Sequence, residues 1–366
     1  MDFHAIRRTT LGLLLAAAFA ATASAQETVK IAYIDPLSGG AASAGILGQK
    51  HFSYFIDKIN AAGGVNGQNL ELVVFDDKVN PQEALIALNK ATDEGIRYVA
   101  QGNGSHVAHA ITDAVLKYNE RNPGKEVVYF NYAAVDPALT NEKCNFWHFR
   151  FDADADMKME ALTNFMAKQK NIKKVYLINQ DYSFGKAVAS AARRMLPAKR
   201  PDVEIVGDEL HPLQKVTDFS PYVAKIKASG ADSVITGNWS NDMILLIKAG
   251  KDAGLNVDWY TYYAGVLGAP TAIGKDGVGH LKMVTEWHKN VADTLDADAV
   301  AYEKRFTSKE DDFSFWRIKT MFEMWVAAQC CPVNSRINSI GCRAWGCRFC
   351  SHGPQTLAGW AFSRRA

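Results

Sequence analysis

Short apolar runs alternate along this chain with longer stretches whose apolar residues recur every three or four positions. The first two runs, 29–34 and 70–75, have strand length and are rich in β-branched and aromatic residues. Between them, residues 45–62 place isoleucine, leucine and phenylalanine along one face of a helix, which Gly63 and Gly64 are suited to end. Six further strands are predicted at 97–100, 127–130, 174–178, 203–206, 232–236 and 259–262.

Strands that alternate with helices predict parallel sheets with both faces covered. A helix is predicted to begin at Asn80 and Pro81, because asparagine caps a helix N terminus and proline fits the first turn. The 366 residues fit two open α/β sheets better than one oversized sheet. The predicted fold class is therefore α/β with two parallel-sheet units.

The loops that follow the predicted strands are where such a fold binds a ligand, beyond the carboxyl ends of the strands. They are rich in glycine, hydroxyl and aromatic side chains and contain few carboxylates. This composition indicates a pocket formed by backbone donors and rings. The loops are 35–44, 101–105, 131–136, 179–185, 237–241 and 263–268.

Two cofactor or metal patterns are incomplete in this sequence, and two enzyme motifs do not occur. Gly102-Asn103-Gly104-Ser105 begins a helix after a strand, but it lacks the third glycine and the acid of a dinucleotide fingerprint, so a polar or anion-binding helix N terminus fits better. His106 and His109 have metal-binding spacing without a nearby third ligand. No nucleophile elbow or zinc-protease motif occurs. We expect no catalysis, no cofactor and no metal site.

The N-terminal 25 residues carry the pattern of a cleaved signal peptide. Arg7 and Arg8 precede the apolar run 11–23, and the small residues 23–25 suit signal peptidase, so the mature chain is expected to begin at Gln26. The run is shorter than the roughly 20 apolar residues that span a bilayer; an uncleaved anchor is the alternative. A formal net charge of +2 gives no reason to expect nucleic acid as a partner.

Several short motifs occur in the order and spacing of one known family. They are 57–67 followed by 70–77, then 181–185, 217–221 and 230–232. Over about 29–328 the chain resembles the leucine/isoleucine/valine-type solute-binding proteins of ABC importers. The resemblance implies a periplasmic-binding-protein type I fold, in which two lobes joined by a hinge close on a small-molecule solute. It also implies a periplasmic location and delivery of the solute to an ABC permease complex in the inner membrane; we expect a monomer.

The resemblance also implies domain boundaries and a binding site. Lobe 1 would comprise 26–147 with a return segment at 284–329, and lobe 2 would comprise 148–283, with the hinge near 147–151 and 282–286. Family members hold a solute carboxylate with backbone N–H groups and hydroxyls at two loops of the first lobe, and pack it against residues of the second. The predicted ligand-binding residues are Gly104, Ser105, Ala133, Ala134, Asp181, Tyr182, Trp239 and Tyr263.

Two departures from the family bear on the identity of the solute. Val135 stands where branched-chain amino acid binders have threonine, and 263–266 lacks the acidic side chain that pairs with the solute ammonium. A buried cation without a partner costs several kcal/mol, compared with about 8 kcal/mol for micromolar binding. We therefore expect a small carboxylate or amide, with an aromatic solute suited to the rings. A branched-chain amino acid is the alternative if Asp181 or Asp242 replaces the lost acid, and a sensor of the same fold is another.

The resemblance stops after Gln329. Residues 330–366 contain five of the six cysteines and five arginines, but no Lys, Asp or Glu; Cys144 stands alone. Cys342, Cys347, Cys350 and His352 match no standard zinc spacing. We interpret 330–366 as an aberrant tail outside the family fold, produced by a shifted reading frame or a comparable divergence, with a disulfide cluster as the alternative.

Overall fold

A computed structural model describes residues 28–265, 274–285 and 316–330 of the chain. The predicted signal peptide, most of the predicted tail and residues 266–268 of the last predicted loop lie outside the described residues. By internal contacts the chain divides into a large unit, 30–55 with 72–325, and a small unit, 1–29 with 56–71 and 326–366. In the small unit, the Asn60 side chain accepts from Leu70 N at 2.7 Å and donates to Leu70 O at 2.9 Å.

The first of two parallel five-stranded sheets contains the first five strands in the order β2-β1-β3-β4-β5. Helices follow the first three strands, as the alternating pattern predicts. The elements are β1 (Thr28–Asp35), α1 (Ala42–Ala61), β2 (Asn69–Asp76), α2 (Pro81–Asp93), β3 (Tyr98–Gln101), α3 (Ser105–Arg121), β4 (Val128–Asn131) and β5 (His148–Arg150), with 3₁₀ turns at Gly39–Ala41 and Pro137–Leu139.

The second sheet has the order β10-β9-β8-β6-β7. A final described helix, α8 (Trp316–Cys330), follows both sheets in the sequence. The other elements are α4 (Ala155–Met166), β6 (Lys174–Gln180), α5 (Ser183–Lys199), β7 (Glu204–His211), α6 (Ser220–Ala228), β8 (Ser233–Thr236), α7 (Asn241–Asp252), β9 (Asp258–Thr261) and β10 (Leu281–Met283), with a 3₁₀ turn at Gly274–Gly277.

Both sheets are covered by apolar side chains of their helices. One buried cluster joins β1, β3 and β4 to α2 and α3 through residues such as Ile34, Val99 and Ile111. A second joins β6, β8 and β9 to α6 and α7 and includes Val234 and Leu246. Burial of these faces drives folding, since each large aliphatic side chain removed from water contributes about 1.5–3 kcal/mol.

The predicted α/β class with two parallel sheets is confirmed. All eight predicted strands are present, with ends that differ by up to five residues, and α2 begins where Asn80 and Pro81 predict. Asn80 Oδ1 accepts from Gln82 N at 2.8 Å and Glu83 N at 3.4 Å. β5 and β10 were not predicted, because three residues are too few to show an alternating pattern. The lobe boundaries stay a prediction.

Candidate functional site

A cavity lies where the carboxyl ends of strands from both sheets face each other. The space not filled by atoms amounts to about 440 Å³ when the solvent-open part is included. The parallel register pairs Gln101 with Asn131, so the two loops that follow β3 and β4 start side by side. The described lining residues are Ala44, Gly102, Asn103, Gly104, Ser105, Ala133, Ala134, Val135, Tyr182, Phe184, Trp239, Ser240, Tyr263 and Arg317.

The structure brings seven of the eight predicted ligand-binding residues together around this cavity. They are Gly104, Ser105, Ala133, Ala134, Tyr182, Trp239 and Tyr263. The exception is Asp181, whose half-exposed carboxylate pairs with Lys186 Nζ at 2.9 Å outside the lining. Asp242 also lies outside it, since its buried carboxylate accepts from Gln180 Nε2 at 2.7 Å and Gln214 N at 2.8 Å.

One side of the cavity is a wall of aromatic rings that fix one another. Trp239 Nε1 donates to the Tyr182 hydroxyl at 2.8 Å. The Phe184 ring lies 5.9 Å from both the Tyr182 and the Tyr263 rings, centroid to centroid. All four residues are at least 91% buried. The rings are tilted against one another and, held in this way, present apolar surface to a bound molecule at little cost in conformational entropy.

Three helix N termini meet the cavity. The residues that precede α3, α5 and α7 are Gly104, Tyr182 and Ser240, and all three line it. None of them caps its helix with a side-chain hydrogen bond. The first N–H groups of each helix have no carbonyl partner within the helix, and they carry partial positive charge. Helix N termini of this kind suit an anionic group, and α3 and α5 have no acidic side chain in their first turns, whereas α7 has Asp242 there.

The two amides expected to hold a carboxylate at the second loop are engaged within the loop itself. Asn131 Oδ1 accepts from Ala133 N at 3.2 Å and Ala134 N at 2.7 Å, while Asn131 Nδ2 donates to Ala134 O at 2.8 Å. Asn131 therefore shapes this loop. The donors that remain suited to a carboxylate are the Ser105 hydroxyl, which accepts from Asp136 N at 3.3 Å, and the first amides of α3.

A buried polar network supports the loop that presents Gly104. Asp35 accepts from the Tyr132 hydroxyl at 2.6 Å and from Asn103 N at 2.9 Å. The Tyr132 hydroxyl also lies 2.9 Å from the Tyr33 hydroxyl. Burial raises the pKa of Asp35 to about 7, while the hydrogen bond from Tyr132 acts against this shift. The Gly104 backbone has φ +95°, which glycine adopts without strain.

Arg317 is the described lining residue that lies outside every predicted loop. Its side chain is 2% exposed, and Nη1 lies 3.4 Å from Asp152 Oδ2. Asp152 Oδ1 also pairs with Lys158 Nζ at 2.9 Å, and that ammonium lies 5.4 Å from the centre of the Tyr263 ring. The sequence offered one signal for this residue: an arginine close to Ile318, Met321 and Phe322, which lie on a buried helix face.

Among the described lining residues, no side chain is a carboxylate, and the charged one is the guanidinium of Arg317. His106 contacts the Tyr182 ring at 5.2 Å between centroids, and burial lowers the pKa of His106. His109 Nε2 pairs instead with Asp136 Oδ2 at 2.8 Å. The described part of the chain contains no cluster of metal-ligating side chains and no helix long and apolar enough to span a membrane.

Hydrogen bonds link the loops of the two sheets beside the cavity. Ser240 Oγ donates to Gly40 O at 2.8 Å and lies 3.0 Å from Ser43 Oγ. Gly40 and Ser43 follow β1 in the first sheet, whereas Ser240 precedes α7 in the second. Ser240 has φ +54°, an uncommon backbone conformation for a residue other than glycine. Such conformations persist where surrounding contacts hold them, often at functional sites.

The sequence of this chain matches the model of the periplasmic binding protein family over residues 28–330. The chain belongs to this family. It is 42% identical to Leu/Ile/Val-binding protein homolog 4 of Brucella abortus over 272 residues, which cover 73% of this chain and 64% of the relative. The aligned part thus spans less than two thirds of that relative. The Leu/Ile/Val-binding resemblance stated from the motifs is confirmed.

Solved structures agree with this assignment. The leucine-, isoleucine-, valine-, threonine- and alanine-binding protein of Brucella ovis, in its closed conformation, is 33% identical, with a TM-score of 0.71; the match covers 87% of this chain and 82% of that one. A solute-binding protein of an R. palustris ABC transporter, in complex with 4-hydroxybenzoate, shares the fold at 23% identity and a TM-score of 0.68, covering 82% and 81%. These structures share the two-sheet fold of the periplasmic binding protein family.

Proposed function

We propose that this protein is the periplasmic receptor of an ABC importer and holds a small carboxylate, with an aromatic acid as the best-suited solute. The observation that carries the proposal is the meeting of three helix N termini with a wall of four buried rings in one cavity. Helix N termini stabilise a carboxylate, and flat rings pack against an aromatic body.

In this proposal the carboxylate lies at the start of α3, where Ser105 and the first amides of the helix donate to it. The rest of the solute packs against Tyr182, Trp239 and Tyr263. The bonds from Ser240 to the loop after β1 help to keep two lobes closed around the solute. The solute then passes, chemically unchanged, to a permease complex in the inner membrane, and the receptor acts as a monomer.

A branched-chain amino acid is the second candidate, favoured by the names of the Brucella relatives. The absence of a carboxylate among the described lining residues argues against it, because an α-ammonium in the cavity lacks a described ion partner. The fold itself accommodates aromatic acids, as the R. palustris complex with 4-hydroxybenzoate illustrates for that protein.

A thermal-shift screen separates these candidates. The protein is melted with benzoate, 4-hydroxybenzoate, benzamide, leucine and valine, each at the same concentration. A solute present at 100 times its Kd adds about 2.7 kcal/mol to the free energy of unfolding. We expect the aromatic acids to raise the melting temperature most. A larger shift with leucine or valine would favour the second candidate, and no shift with any of the acids would reject the proposed function.

A further inference from the structure

Resting on the proposed function, we infer that Arg317 selects the charge of the solute. Its guanidinium favours a carboxylate that carries no ammonium group and disfavours an α-amino acid of the same shape. Arg317 thus acts as a specificity-determining residue on the wall of the cavity, in addition to the carboxylate-binding groups at the start of α3.

The position of Arg317 is fixed by the packing of α8. Phe322 of the same helix lies edge-on to the Phe52 ring, with centroids 5.5 Å apart, and Trp325 lies 4.9 Å from the Tyr98 ring. Both anchoring rings are at least 94% buried. Arg317 therefore approaches the cavity from a helix that is locked into the core, and the ion pair with Asp152 orients its side chain.

The sign of the charge decides what this position does. The N termini of α3 and α5 contribute partial positive charge. Among the described residues, Arg317 and Lys158 share the carboxylate of Asp152, so the three side chains together carry a net charge of +1, and the guanidinium stays protonated at physiological pH. This net positive charge attracts a carboxylate and repels an ammonium. For one unfavourable charge contact in a partly buried site we expect on the order of a 100-fold loss of affinity.

Pairs of solutes with the same carbon skeleton isolate this effect. Leucine differs from 4-methylpentanoate, and phenylalanine from 3-phenylpropanoate, by the α-ammonium group alone. Isothermal titration of the full chain at pH 7.5 gives the affinity ratio within each pair. We expect each acid without the amino group to bind about 100-fold more tightly than its amino acid.

Substitutions assign the ratio to Arg317. Arg317→Gln is expected to reduce it about tenfold or more, whereas Arg317→Lys, which keeps the charge, preserves most of it. Arg193→Gln serves as the matched control. Arg193 lies on α5, is exposed, pairs with Asp208 of β7 and is not a lining residue of the cavity. In the Gln variant Asp152 keeps its ion pair with Lys158. If that variant fails to fold, Arg317→Met provides the same comparison.

The outcomes are distinct. Equal affinity for the two members of a pair in the unmodified protein would overturn the role of Arg317 but leave a carboxylate receptor in place. An unchanged ratio in Arg317→Gln, or in Arg317→Met where that variant replaces it, would also overturn it. Failure of every acid and amino acid to bind would reject the proposed function, and the inference with it.

Discussion

Asp35 is fully buried under the loop that presents Asn103 and Gly104, and its pKa bears on stability. The ordinary pKa of an aspartate is about 3.9, and burial raises that of Asp35 to about 7. Between these values the folded protein retains a proton that the unfolded chain has released. The stability contributed by this proton is therefore present at low pH and is lost as the pH rises towards 7.

Asp35→Asn tests this linkage. Between pH 5 and pH 7 the unmodified protein should lose unfolding free energy relative to the variant, whose amide does not titrate and whose Asp77 no longer has the Asp35 charge to raise its pKa. Urea unfolding at both pH values measures the difference. Burial lowers the pKa of His51 to about 3 and acts in the opposite direction, but this contribution is common to both proteins. Parallel pH profiles of the two proteins would contradict the assignment.

At the residue scale, the sequence predicted most of the site because strand-end loops are defined by local patterns. Gly104, Tyr182 and Trp239 all fall in such loops. Arg317 was missed because it lies on a helix far along the chain, and only tertiary packing brings that helix to the cavity. The sequence also could not predict that the Ala133 and Ala134 amides donate to Asn131 Oδ1, because these hydrogen bonds depend on the rotamer of Asn131.

At the scale of elements, the stability of α2 depends on Asn80, the residue just before the helix. Asn80 Oδ1 accepts from two amides of the first turn, which have no carbonyl partner within the helix. Asn80→Ala should lower the free energy of unfolding by about 1 kcal/mol, and Asn80→Asp, which keeps the acceptor, should change it little. Chemical denaturation compares the two. An equal loss in both variants would show that the acceptor itself does not matter.

The bonds between the loop after β1 and the start of α7 give a second prediction at this scale. Ser240→Ala removes the hydrogen bond to Gly40 O and the contact with Ser43, so we expect solute affinity to fall about three- to tenfold, as for one hydrogen bond of about 0.5–1.5 kcal/mol. Isothermal titration with 4-hydroxybenzoate measures the change.

Ser229→Ala is the control for this experiment, because the Ser229 hydroxyl makes local bonds at the end of α6, donating to Ile226 O and accepting from Ala231 N. The double variant of Ser43 and Ser240 should bind about as weakly as Ser240→Ala alone, since both residues share one interaction. Unchanged affinity in Ser240→Ala would remove these bonds from the closing mechanism.

Element positions were predictable where the periodicity was long enough to read. The eight predicted strands and α2 rest on runs of apolar residues and on a cap, whereas β5 and β10 have three residues each and contain Arg150 and Lys282. Their pairing comes from neighbouring strands. The register of β5 against β4 joins Asn131 to Arg150, a relation that no local pattern encodes.

At the scale of the whole molecule, family membership and the two parallel sheets account for where the cavity lies. The strand-end rule places ligands beyond the carboxyl ends of parallel strands, and loops from both sheets meet there. What the family does not decide is the solute, because proteins of one fold bind different ligands through the side chains of the site. In the proposed function that decision rests on the rings, the helix N termini and Arg317.

Equilibrium dialysis of the full chain against 4-hydroxybenzoate, with the solute recovered afterwards, tests the central claim most directly. We predict saturable binding of one molecule per chain at micromolar concentration, with all of the solute recovered unchanged. Displacement by benzoate but not by leucine would match the proposed site. Absence of saturable binding by every carboxylate tried, or conversion of the bound solute into a product, would contradict the account.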